Sequence, residues 1–303
     1  MSKGLKNVKQ GFNYLSLALS VKKNNKNKER IILDINNVDK SFNINNLNDY
    51  ILQGLTKADK YILITAYSSN KKNSKVFIYD DKYNFIKETV LYNKAHVGGI
   101  TYDNTNKNIW ITDTKGTISG YKLDDIIKSK DEVKPIYKQI DVSNKLINIY
   151  GNKATAYISY FDNKIYVGNF NKGSVSYLKS YIVDKEGTIN IDSENIIGSV
   201  PASQGITFYQ NDNNTYLFVS SSFGLHIPSQ IKIYKYHDDI KDLKDEPYIN
   251  LVLPPMLEQI YVDNNKLLAV FESNAEKYKS KRNNTPDFIE ISLDYIIDDI
   301  KTL

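Results

Sequence analysis

Five times along the chain, a short apolar run is followed by a polar turn and a second apolar run. The copies are "LQGLTKADKYILITAYSS", "VGGITYDNTNKNIWITDT", "TAYISYFDNKIYVGNF", "SQGITFYQNDNNTYLFVSSS" and "LEQIYVDNNKLLAVFES". The turns are rich in Asn, Asp and Lys, and turns of that chemistry between strand-forming runs read as hairpins. A third strand follows each pair, as in "SKVFIYD", "GTISGYK", "SVSYLKSYIV", "SQIKIYKY" and "DFIEISLD". A fourth, more polar strand follows in four copies: "YNFIKETVLY", "KPIYKQIDV", "GTINIDSENI" and "YINLVL". The equivalent positions Gly54, Gly99, Tyr157, Gly205 and Gln259 lie 45, 58, 48 and 54 residues apart. Four-stranded units at such a period predict the blades of a β-propeller, here five of them. The small residues in the "QG(I/L)T" openings favour this all-β fold over two packed sheets, because innermost strands crowd an axis.

The fifth copy ends without a fourth strand. Upstream, "ERIILDIN" (residues 29–36) is a strand without a partner of its own. It is expected to close the ring, with Ile31, Leu33 and Ile35 paired to the 287–293 strand, so that no edge is left open. Residues 1–28 then form an N-terminal extension, 29–296 the five-bladed propeller and 297–303 a tail. In the extension, Phe12, Leu15 and Leu19 have helical spacing, which predicts a short amphipathic helix. Its basic start and mildly apolar continuation also resemble an export signal, which tips the expected location slightly towards extracytoplasmic.

Composition narrows the chemistry. The chain has no cysteine, which excludes disulfides, thiolate catalysis and cysteine-ligated zinc. No apolar run approaches the roughly 18 residues of a membrane span. The net charge of +5 is modest, and the basic clusters "KKNNKNK", "NKKNSK" and "KYKSKR" fall in turns or linkers with no nucleic-acid-binding aromatic motif beside them. They read as solvated surface, and no nucleic-acid partner is expected. There is no Gly-rich phosphate loop, GxSxG, HExxH or EF-hand loop. Tyrosine is abundant at 24 residues, which suits pleated, half-buried surfaces.

Candidate chemistry follows from where a propeller converges. One ring of residues just precedes the inner hairpins: Gln53, Gly98, Ala156, Gln204 and Glu258. A second ring ends the second strands: Ala66 or Tyr67, Asp113, Asn169, Ser221 and Glu272. His96, three residues before Gly99, is not required by the repeat and titrates near neutrality. Candidate catalytic residues are His96, Glu258 and Glu272, since two carboxylates at a channel mouth can bind a cation or perform acid–base hydrolysis. Candidate ligand-binding residues are Gln53, Tyr67, His96, Asp113, Gln204, Ser221, Glu258 and Glu272. Glu258, Asp113 and Asn169 are the candidate ligands for a divalent cation such as calcium. Tyr67, Phe223 and Tyr278 could stack on a sugar or another flat ligand. Each has a structural alternative: for His96, bonding a neighbouring blade's backbone, and for Glu258, pairing across the axis or capping backbone amides.

The inner hairpins resemble those of NHL, gluconolactonase and plant-type glutaminyl cyclase propellers over about residues 50–295. The islands Gln204–Ile206, His96–Ile100, Leu253–Glu258 and Phe271–Ser273 also resemble a set of uncharacterised, often exported bacterial proteins. The gluconolactonase likeness implies an axial divalent metal held by Glu, Asn and Asp. In that pattern a Glu opens the first blade, where this chain has Gln53, and Glu258 takes the corresponding place in the fifth. The cyclase pattern has a Glu where this chain has Ala66-Tyr67, and Glu272 is the similar residue in the fifth copy. The function expected is a monomeric ligand-binding or protein-interaction propeller. It would take a small molecule, carbohydrate or protein at the mouth of its channel. The alternative is a hydrolase or lactonase-like enzyme on the same face, with a divalent cation.

Overall fold

A computed structural model of the chain describes residues 29–32, 38–45, 47–113, 116–142, 155–172, 176–211, 214–243, 247, 249–281 and 285–294. The expected N-terminal helix and C-terminal tail lie outside them. Two short strands come first, β1 (Glu29–Ile32) and β2 (Lys40–Phe42). Blade 1 is β3 (Tyr50–Ala58), β4 (Tyr61–Ser68), β5 (Lys75–Asp80) and β6 (Phe85–Val90). Blade 2 is β7 (Ile100–Asp103), β8 (Asn108–Thr112), β9 (Thr117–Lys122) and β10 (Tyr137–Asp141). Blade 3 is β11 (Thr155–Phe161), β12 (Lys164–Asn169), β13 (Ser176–Val183) and β14 (Ile189–Ser199). Blade 4 is β15 (Ser203–Asn211), β16 (Asn214–Ser221), β17 (Ser229–Tyr236) and β18 (Ile249–Leu253). Blade 5 has β19 (Leu257–Asp263), β20 (Lys266–Phe271) and β21 (Phe288–Ser292). Within each blade, strands pair antiparallel in chain order. The chain is a five-bladed β-propeller.

The core sits between blades. Second strands are apolar on both faces because a neighbouring blade covers each face, and in β8 all five residues are buried. Five apolar clusters fill the five blade interfaces. Leu63, Val76 and Ile78 of blade 1 meet Ile100, Ile109 and Tyr121 of blade 2. The last interface joins Leu268, Val270 and Phe288 of blade 5 to Leu52, Leu55 and Ile64 of blade 1, so the ring is closed. The 58-residue interval between the second and third copies includes an unexpected helix, α1 (Leu123–Lys128), which buries Leu123 and Ile126 beside blade 2.

Closure differs from the expectation in which strand performs it. The outer strand of blade 5 is β2, antiparallel to β21 with Lys40 opposite Glu290 and Phe42 opposite Phe288. Strand β1 instead runs parallel to β18 and adds a fifth strand to blade 4, with Ile31 opposite Leu251. Leu33 and Ile35 lie outside the described residues. The physical reason is geometric. The closing strand must be antiparallel to β21 and deliver the chain into β3, and Lys40–Phe42 stands just upstream of blade 1. Phe42 fixes it by stacking on Phe288 at 4.7 Å and packing on Tyr79 at 5.6 Å.

Near the axis, inner strands meet backbone to backbone. A Cβ on Gly54 would lie 2.9 Å from the Ile100 nitrogen, and one on Gly99 would lie 2.6 Å from the Ile158 nitrogen. The two copies that lack glycine solve the crowding differently. The Tyr157 ring occupies the space above Gly168, where a Cβ would fall 1.9 Å from it. The Gln259 side chain, 2% exposed, turns into the axis and bonds three other blades. Its Oε1 accepts from the amides of Leu55 (3.3 Å) and Ile100 (2.9 Å), and its Nε2 donates to the carbonyls of Ile100 (2.8 Å) and Ile158 (3.1 Å). Innermost strands are sheet edges with peptide groups left over. One carboxamide satisfies four of them and plugs the channel.

Candidate functional site

The mouth is shaped by irregularities at equivalent places in the blades. Inner strands slip register between Leu52 and Leu55, Ser203 and Gly205, and Leu257 and Ile260. A bulge re-aims the side chains it contains, here Gln53, Gln204 and Glu258. Left-handed residues lead into three inner strands: Val97 (φ 50°), Ala202 (φ 58°) and Met256 (φ 69°). A β-branched residue at positive φ costs about 1–3 kcal/mol. The Val97 carbonyl is held by the Thr65 hydroxyl at 2.8 Å, and the turn sets the His96 ring 4.3 Å from that of Tyr67. The Met256 turn directs its carbonyl to the Glu272 amide at 3.1 Å.

The mouth is lopsided. In blades 2 and 3 the corresponding positions are Gly98 and Ala156, and a Cβ on Gly98 would lie 2.2 Å from the Ala156 carbonyl oxygen. That arc is shut by close backbone packing. The polar arc runs over blades 4, 5 and 1 and centres on two carboxylates. Glu258 is 3% exposed and accepts one hydrogen bond on its carboxylate among the described residues, from Gln204 Nε2 at 3.4 Å. The Ser220 hydroxyl holds the Glu258 main-chain carbonyl at 2.8 Å. Glu272 is half-buried and accepts from Gln53 Nε2 at 3.3 Å and the Tyr278 hydroxyl at 3.5 Å. Gln53 Nε2 also donates to its neighbouring Leu52 carbonyl at 2.7 Å.

The electrostatics follow from burial without a counter-charge. Neither carboxylate is in a salt bridge among the described residues, whereas the buried Glu290 and Lys179 are paired, with Lys266 and Glu194. Burial, and then the charge of Glu272, raises the pKa of Glu258 well above the carboxylate range. Burial raises that of Glu272 to about 7, against the opposing pull of Lys277, Gln53 and Tyr278. The pair therefore retains a proton at pH values where ordinary carboxylates are bare. Burial and then the two glutamates lift Tyr67 to about 12, and Tyr278 is raised for the same reasons. Crowding by protein atoms and then Lys277 push His96 down to about 4. His96 is nevertheless an exposed residue, so solvent tempers the shift without changing its direction, and the imidazole is neutral at pH 7.

The other expected site residues are engaged within their surroundings. Asp113 accepts from Tyr92 (2.7 Å), Asn93 (2.6 Å) and Ser119 (2.6 Å). Asn169 Oδ1 accepts from the Tyr177 amide at 2.8 Å, and the Ser221 hydroxyl donates to the Pro201 carbonyl at 3.0 Å. The Phe223 ring is covered by the Lys172 ammonium at 4.1 Å. His226 is exposed in its loop. Sequence reasoning did not find the roles of Gln259, Lys277, Val97 or Ser220. Only Gln259 carried a signal, as a long polar side chain at a position where three other copies have glycine.

A divalent metal does not fit this donor set. Among the described residues, no three His, Asp or Glu side chains lie close enough to hold one. The groups nearest the carboxylates, Gln53 Nε2, Gln204 Nε2 and the Tyr278 hydroxyl, present hydrogens to them. Calcium needs six to eight oxygen ligands.

Comparison with known proteins assigns no family and no activity. No protein-family model matches the chain, and no curated protein matches it. Among solved structures, the chain is similar to a thermostable family-43 glycoside hydrolase at 11% identity and a TM-score of 0.49, covering 84% of this chain and 91% of that one. It is similar to the nidogen/laminin complex at 14% identity and a TM-score of 0.42, covering 74% and 73%. The WD40 β-propeller domain of Doa1 matches at 13% identity and a TM-score of 0.38, covering 77% and 65%.

Proposed function

We propose that the protein is a binding propeller that takes a small molecule on the Gln53–Gln204–Glu258–Glu272 arc of its mouth. One observation carries the reading: Glu258, almost wholly buried, feels the charge of a second carboxylate and has no salt-bridge partner among the described residues. Buried carboxylates cost folding energy unless something pairs with them, and an arrangement kept at that cost is a site before it is a scaffold. The Gln259 carboxamide occupies the axis, which suits a ligand that enters and leaves by the mouth alone. The test is thermal-shift and crystallographic screening of a small-molecule panel on the native protein, Glu258→Gln and His96→Ala. Ligands that stabilise the native protein and lose this effect in Glu258→Gln support the reading. Ligands that stabilise both equally place the site elsewhere. A protein that binds the rim with no contribution from Glu258 would replace it with an interaction module.

A second reading has its own support. Paired carboxylates that share a proton are the equipment of acid–base hydrolysis. No hydrogen bond joins His96 to either carboxylate among the described residues, so any such chemistry would rest on Glu258 and Glu272 alone. Turnover of lactone or glycoside substrates that is lost in both Glu→Gln variants would establish it.

A further inference from the structure

If the mouth is a small-molecule site, its chemistry selects among ligand classes. We infer that it binds an organic ammonium ion between the carboxylates of Glu258 and Glu272, beside the phenol rings of Tyr67 and Tyr278. Three features of the arc point this way. First, the two carboxylates lack a salt-bridge partner among the described residues, and one monocation would supply the charge that the shared proton now supplies. A neutral sugar would leave that charge uncompensated. Second, the Tyr278 hydroxyl bonds Glu272 at 3.5 Å, and the Tyr67 ring, 4.3 Å from that of His96, feels the charges of both glutamates, so phenol rings stand beside the acids at the mouth. Carboxylates beside aromatic rings favour a weakly hydrated cation, which gains from the ring faces as well as from the charge. Third, the carboxamides and the Tyr278 hydroxyl turn their hydrogens to the carboxylates, and among the described residues no third acid or histidine joins them in a metal-holding group. That disfavours a metal ion, which demands a cage of oxygens.

Lys277 gives the inference a handle. It is exposed, its ammonium lies 5.2 Å from the centre of the Tyr278 ring, and its charge acts on Glu272 and His96. It is the protein's own cation at the rim and competes electrostatically with a cationic ligand. The other titratable groups facing Glu272 are Glu258, Tyr67 and Tyr278. The two phenols keep their protons between pH 6 and 8 and His96 is held below its ordinary value, so the proton that a cation must displace belongs to the carboxylate pair.

The experiment titrates tetramethylammonium chloride, calcium chloride and methyl glucoside into the full chain at fixed ionic strength. Binding is followed by calorimetry and by the NMR signals of the tyrosine rings. Tetramethylammonium is expected to bind about tenfold more tightly at pH 8 than at pH 6, because the ionised fraction of a carboxyl titrating at about 7 rises about tenfold over that range. Glu272→Gln should abolish the binding, and Lys277→Gln should tighten it severalfold. Affinity that ignores pH, or survives Glu272→Gln, overturns the inference. Glu272-dependent binding of calcium or methyl glucoside, with none of tetramethylammonium, also overturns it but leaves the mouth as a small-molecule site. No Glu272-dependent binding by any of the three overturns it and withdraws its support from the site as well.

Discussion

Replacing Gln259 by methionine keeps the side chain's length and removes its polarity. Four peptide groups near the axis then lose their partner: the amides of Leu55 and Ile100 and the carbonyls of Ile100 and Ile158. Ile100 stands opposite Ile111, and the adjacent Gly99 carbonyl takes the Thr112 amide at 2.9 Å. The peptide groups of Ile100 therefore point away from β8, towards the axis, and the sheet does not reclaim them. A buried polar group left unsatisfied costs about 1–3 kcal/mol. With the Leu55 contact already long and some relaxation of the strands, the expected loss is about 3–5 kcal/mol, a large part of the ~5–15 kcal/mol that holds a typical domain. Urea unfolding followed by tryptophan emission is a suitable assay. The single tryptophan, Trp110, is 0% exposed and stacks on Tyr137 at 5.3 Å, so its emission reports on blade 2. Gln259→Glu provides a control with a sign. It sets an oxygen against the carbonyls of Ile100 and Ile158, so the variant should lose stability relative to native as pH rises from 4 to 8. A loss below about 1 kcal/mol in Gln259→Met, or a flat pH response in Gln259→Glu, would refute the plug.

Two further outcomes concern the carboxylate pair and ring closure. The Glu272 carboxyl titrates at about 7 in the folded protein against 4.5 in an unperturbed chain, so its protonated form stabilises the fold fully below pH 4.5 and that contribution is lost as pH rises through 7. Glu272→Gln should therefore match native at pH 4 and exceed it by about 2 kcal/mol at pH 8 in the same urea assay, allowing for the group's partial exposure. A chain shortened to begin at residue 38 loses, of the described strands, β1 alone, the additional strand of blade 4, and should keep most of its thermal stability. One begun at residue 46 also loses β2 and should melt far lower, because it opens blade 5. Equal melting temperatures would count against closure by β2.

Much of the architecture was legible because blades are local. Each is an antiparallel meander whose strands and turns follow one another, so a period of about fifty residues exposes it. The closing strand was misread because the apolar run Ile31, Ile32 and Leu33 looks more like a strand than Lys40-Ser41-Phe42 does. An outer strand is half solvated, however, and needs little hydrophobicity; Lys40 and Ser41 are exposed. Glu258, Glu272, Gln53 and Gln204 were singled out because the repeat aligns their positions, and the structure brings Gln53 to Glu272 and Gln204 to Glu258. Asp113 and Asn169 were aligned equally well, and their hydrogen bonds tie them to Tyr92, Ser119 and Tyr177 instead. Position in a repeat specifies where a residue stands along a strand. Which partner its side chain finds depends on neighbours far away in sequence.

By itself, then, the sequence determined the number of blades, the strands within them and the end of the ring where polar residues gather. These follow from hydrophobic periodicity and turn chemistry, which act over a few residues. Only the tertiary structure decided that β2 closes the ring, that bulges turn Gln53, Gln204 and Glu258 to one side of the mouth, and that Gln259 seals the axis. Those outcomes depend on peptide groups and charges brought together from strands 50 to 220 residues apart, where hydrogen bonds must be satisfied and burial sets the energy of each charge.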